Sequence, residues 1–80
     1  MITAQEAETL AQGTLENYIN SCDCKTTQDI ANVLMKLISM SGLAMCSVVG
    51  QQEAVARLQG TTNRIAKSQS GINWFAHDIH

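Results

Sequence analysis

Twenty consecutive residues, Ile30 to Val49, contain no proline, are rich in helix formers and are apolar around most of a helical circumference. A helix on the surface of a small globular protein needs only one apolar stripe. One that is apolar nearly all round has to be covered on several sides, by a large domain, a bilayer or other subunits. This chain has 80 residues, and chains of that size rarely gain more than about 3–5 kcal/mol from a single core. The run therefore needs more cover than its own chain offers.

Wound at helical spacing, the run is ordered rather than uniform. Asp29, Asn32, Lys36, Ser39 and Ser47 fall on one narrow polar stripe. Beside it, Ser39, Gly42, Cys46 and Gly50 form a ridge of small residues three and four apart, a spacing that lets a second helix come close. Met35, Met40 and Met45 are five apart, so they spread around the helix and make no Met-rich groove. The length of the run suits a membrane span. However, Lys36 near its middle costs about 2.5–3.5 kcal/mol on insertion, and the flanks lack the basic cluster that orients a span. A central helix packed in protein is the expected outcome, with no membrane span.

The rest of the chain reads as helical too. Thr3 and Glu6 have the spacing of a capping box. They should start a first helix over about residues 4–20, with Ala7, Leu10, Ala11, Thr14, Leu15 and Tyr18 on its apolar face. Ser21 to Lys25 reads as a loop, after which Thr26 or Thr27 caps the second helix, about 27–49, and Asp29 sits at the positive end of its dipole. Gly50 has the position of a helix stop. A break there is favoured over one long kinked helix, although a helical hairpin usually needs a loop of about 2–5 residues. A third helix, about 51–68, has Val55, Leu58, Thr62 and Ile65 on its apolar side. The tail 72–80 carries Trp74, Phe75 and Ile79 and should dock on the core or on a neighbouring subunit. The fold class expected is all-α: one domain of three helices with an apolar central helix, assembling as a homo-oligomer.

Composition narrows the function classes. Aromatic residues are 4% of the chain and charged residues 15%, against about 25% charged in a typical soluble domain. Such a surface suits burial against another subunit. The net charge of −2 gives no general attraction for nucleic acid. Charge is uneven, with Glu6, Glu8, Glu16 and Asp23 unopposed up to Cys24, and Arg57, Arg64 and Lys67 against Glu53 between Gln51 and Ser70. The odd number of cysteines and the absence of a secretory start point to free thiols in a cytoplasmic protein.

Three constellations are candidate sites. Arg57, Arg64 and Lys67 share a face of the third helix and could hold an anion such as a nucleotide phosphate. Their plainer role is a solvated face opposite the acidic first helix. Ser39, Gly42, Cys46, Gly50, Trp74, Phe75 and Ile79 are the expected subunit contacts. Cys22, Cys24, His77 and His80 offer ligand types that zinc accepts, but in no known spacing, so no metal site is expected. No nucleophile–base or phosphate-loop pattern is present, which points away from an enzyme and from a cofactor.

In size and layout the chain resembles the small all-helical accessory proteins of bacteriophages and mobile elements. That resemblance covers architecture and composition and assigns no residue. It implies either binding to a host macromolecule or, in an oligomer, sequestration of a nucleotide signal. A non-enzymatic interaction protein is the leading expectation, with itself and another protein as partners; an oligomeric binder of an anionic small molecule comes second, and a small membrane-associated protein third.

Overall fold

The computed structural model describes residues 1–68, and all three elements among them are helices: α1 (Ala4–Ser21), α2 (Thr27–Val49) and α3 (Gln51–Lys67). The chain divides into two compact units, Met1–Lys36 and Leu37–His80, so α2 contributes its first part to one and its second part to the other.

In the first unit the helix ends are fixed by side chains. The Glu6 N–H donates to Thr3 Oγ1 at 3.1 Å, and the Thr3 N–H donates to Glu6 Oε1 at 2.9 Å, closing the capping box of α1. α1 stops at Cys22, whose N–H donates to the carbonyls of Tyr18 and Ile19. Asp23 follows with φ +54°, a left-handed conformation that Asp tolerates better than most residues. Thr26 then caps α2. The Asp29 N–H donates to Thr26 Oγ1 at 3.0 Å, while Asp29 Oδ2 accepts from the N–H groups of Lys25 and Thr26 at 3.0 and 3.2 Å.

Between these caps, Leu15, Tyr18 and Ile19 of α1 and Ile30, Val33 and Leu34 of α2 are half-buried. Tyr18 Oη donates to the Val33 carbonyl at 3.0 Å. The covered face of α1 differs from the one read in the sequence. Leu15 and Tyr18 belong to it, but Leu10 is 64% exposed and Ala7, Ala11 and Thr14 are exposed, whereas Ile19 is covered. Only the C-terminal turns of α1 are covered, and there the Cys22–Thr26 loop sets which flank is shielded. Periodicity alone had no access to that rotation.

The second unit turns on one residue. Gly50, between α2 and α3, has φ +91° and ψ 158°, a region that is essentially glycine's alone. The helical ladders run right up to it on both sides. The Gly50 N–H donates to the Cys46 carbonyl at 2.9 Å, and the Gly50 carbonyl accepts from the Ala54 N–H at 3.0 Å. The break at Gly50 is therefore real, and it needs no further loop residues.

The two arms meet closely. Gly42 and Ala54 are buried, and Met45, Cys46 and Leu58 are half-buried. A methyl group built at Gly42 would lie 3.2 Å from Leu58 Cδ1, tighter than ordinary van der Waals contact. Here too the covered face is shifted from the sequence reading. Leu58 is part of it, but Val55 and Ile65 are 44% and 68% exposed and Thr62 is exposed, while Ala54 at 0% exposure is covered. Four residues past so tight a turn, only a small side chain fits between helices, which selects Ala54 over Val55.

Candidate functional site

The cation stripe is built by one helix. Arg57 and Arg64 are seven residues apart on α3, about two turns, and Lys67 follows within its last turn. All three are exposed. Arg57 Nε donates to Glu53 Oε2 at 2.8 Å, an ion pair one turn apart that offsets its charge. Arg64 Nη2 donates to the neutral Thr61 Oγ1 at 3.3 Å. Among the described residues no carboxylate lies within ion-pair distance of Arg64 or Lys67. Their place at the C-terminal end of α3 also lets them complement the helix dipole. Gly60 lies between the cations with open space where a side chain would stand.

The small-residue ridge is put to use inside the chain. Gly42 packs beneath Leu58, Cys46 is half-buried, Gly50 forms the turn and Ser39 is exposed. The close helix approach that such residues permit is made here with α3. Trp74, Phe75 and Ile79 lie outside the described residues, as do His77 and His80.

A polar cluster gathers where α1 enters its loop. Burial pushes the Tyr18 phenol above its ordinary value, helped by the neighbouring Cys22 and Cys24 thiols. Burial likewise raises the Cys24 thiol, with Cys22, Asp29 and Asp23 adding to the effect. That keeps Cys24 in the thiol form, which is the poor nucleophile and poor metal ligand. Asp29 shifts the other way, held below its ordinary range chiefly by the Lys25 N–H it accepts from, with Thr26 adding to this. All three cysteines are free thiols. Among the described residues no three His, Cys, Asp or Glu side chains come together closely enough to hold a metal ion.

Among the described residues α2 itself is largely uncovered. Its most apolar eighteen residues have a mean hydropathy of 1.6, yet only 6% of them are buried within the chain. In the first unit Met35 is 58% exposed; in the second, Ile38, Met40, Leu43 and Val48 are 50%, 57%, 63% and 82% exposed. These side chains were legible as apolar, but which of them stay uncovered depends on the rotation of α1 and α3, which periodicity does not fix. Ala54, the most deeply buried side chain among the described residues, was missed because alanine reads as filler; its signal was its distance of four residues from Gly50. No family model, no curated protein and no solved structure matches this chain, so function has to be argued from these residues.

Proposed function

We propose that this protein is a non-enzymatic interaction protein that works as a self-assembled helical oligomer. The observation that carries the reading is the exposure of α2, an apolar helix with 6% of its most apolar stretch buried. Leaving Met40, Leu43 and Val48 in water forgoes about 1.5–3 kcal/mol for each large side chain that could be fully buried. Association with further copies recovers that energy and makes stability depend on protein concentration. A bilayer would cover the same residues, but Lys36 and Asn32 lie within α2 and both are exposed. A lysine there opposes insertion by about 2.5–3.5 kcal/mol. The weakly charged outer faces are then what the oligomer presents to a macromolecular partner, in keeping with the accessory-protein layout.

The test is solution mass by light scattering, with vesicle flotation as its control. Self-assembly expects a mass of two or more chains without detergent and no flotation. A concentration-independent monomer, or quantitative flotation, overturns it. A second reading, an oligomer that binds an anionic small molecule, draws on Arg64 and Lys67 having no carboxylate partner among the described residues. It expects a thermal shift with added nucleotides that Arg64→Ala abolishes.

A further inference from the structure

We propose that the face of α2 carrying Lys36, Met40, Leu43 and Ser47 is a two-fold docking surface, on which α2 of a second copy of the same chain lies antiparallel. The inference rests on the self-assembly reading above and specifies which face pairs and in which direction.

Spacing and exposure set the face. Its four residues are four, three and four apart, so they fall within about 60° of one another around the helix axis. That alternation is the one by which a helix seats its side chains between those of another helix. In the second unit α3 takes a different flank of α2. Gly42, Met45 and Cys46, which it covers, are centred about 140° around the axis from Met40, Leu43 and Ser47. Met40 and Leu43 are 57% and 63% exposed, and Lys36 and Ser47 are exposed as well. The stripe read as polar in the sequence thus holds two large apolar side chains. Beside them stand Ser39 and Ala44, both exposed, and small residues there let a second helix come close.

Charge decides both the occupant and its direction. A parallel, in-register pair would set Lys36 against the partner's Lys36. An antiparallel pair, with its two-fold axis between Ser41 and Gly42, sets Met40 on the partner's Leu43 and Lys36 beside the partner's Ser47. The C-terminal end of α2 suits a cation. It has no basic residue in its last turn. The Gly50 N–H takes the Cys46 carbonyl, and the carbonyls of Ser47, Val48 and Val49 that follow have no helical partner. That end of the helix is electronegative. A helical side chain leans toward the N-terminus of its own helix, which in an antiparallel pair is toward the partner's C-terminal end. Lys36 therefore leans toward carbonyls that lack a cation. Ser47 Oγ donates to the Leu43 carbonyl at 3.5 Å, which leaves its lone pairs to accept from the partner's Lys36. The two-fold axis makes every one of these contacts twice.

The experiment reads the dissociation constant of the assembled full chain by sedimentation equilibrium, with circular dichroism to check that each variant stays helical. Leu43→Lys removes an apolar side chain from each half of the contact and should weaken assembly about a hundredfold or more. Ser47→Glu sets an acid beside the partner's Lys36 and should tighten assembly about threefold to tenfold over the two symmetric pairs. Ser47→Lys should weaken it by a similar factor. A parallel pair predicts the opposite for Ser47→Glu, because each acid would meet its own copy. Ser47 is exposed, so its two variants keep the test decisive should Leu43→Lys fail to fold. An oligomer whose constant none of the three changes moves, or one that Ser47→Glu weakens, overturns this pairing and leaves self-assembly standing. A monomer at all concentrations, or flotation with vesicles, overturns both.

Discussion

The two units solve the same problem, folding one helix back on another, by opposite means. The first joins α1 to α2 through five residues, Cys22 to Thr26, and fixes the result with side-chain hydrogen bonds: Thr3–Glu6, Thr26–Asp29 and Tyr18 to Val33. Its facing side chains are sizeable and none of the α1 residues is fully buried. The second uses one glycine for the turn, has no side-chain cap, and relies on the tight packing of Gly42 against Leu58 and on the burial of Ala54. Polar fixation tolerates a loose apolar interface, because hydrogen-bond geometry sets the register. Tight packing of small residues leaves no place for a large side chain, because shape alone sets it.

That contrast can be broken at several points. Gly42→Leu should have the largest effect. Its first added carbon already meets Leu58 Cδ1 at 3.2 Å, so the rest of the side chain has to displace Leu58, and overpacking of this kind costs about 1–3 kcal/mol. Hydrogen exchange should rise across α3 and stay unchanged across α1. Thr26→Ala removes the cap of α2 and should cost about 1 kcal/mol, seen as faster exchange in the first turn of α2 alone. Equal loss in both units would mean that they unfold as one and that the contrast has no energetic content.

Acid should discriminate in the same direction. Glu6 and Asp29 have carboxyls held below their ordinary values of 4.5 and 3.8 by the capping bonds they accept. A depressed carboxylate stabilises the fold above its unfolded pKa, and that contribution is lost as pH falls through the folded value. Fraying of α1 and of the start of α2 should therefore set in as pH drops below about 4, with the Gly42–Leu58 contact, which holds no titrating group, unaffected. Circular dichroism against pH, repeated on Glu6→Gln, checks this. Gly42→Ala should give the smallest change. Alanine's helix preference of about 1 kcal/mol is set against a slight displacement of Leu58, so the melting temperature should barely move.

Much of this architecture could be read from residue types, and the parts that could not have a common cause. Caps are local, so Thr3, Glu6, Thr26 and Asp29 announced the starts of α1 and α2, and Gly50 announced the turn. Which flank a helix presents is not local. It is set by the path of the connection before it, and so Ile19 and Ala54 took places that apolar periodicity had given to Leu10 and Val55. The candidate site divides in the same way. Arg57, Arg64 and Lys67 share a face because one helix carries them, whereas the pairing of Arg57 with Glu53 depends on side-chain geometry that spacing only permits. The small-residue ridge was visible as a place for close approach, but residue size alone carries no information about which helix approaches.

Tyr18 has a use beyond packing. It is the only tyrosine in the chain, and its hydroxyl is bonded to the backbone of the neighbouring helix. The protein thereby carries its own optical reporter for the first unit. Burial against that helix, with the neighbouring Cys22 and Cys24 thiols, delays ionisation of the phenol beyond its ordinary value of 10.0, and an alkaline absorbance titration reports whether α1 is seated. Tyr18→Phe silences the signal.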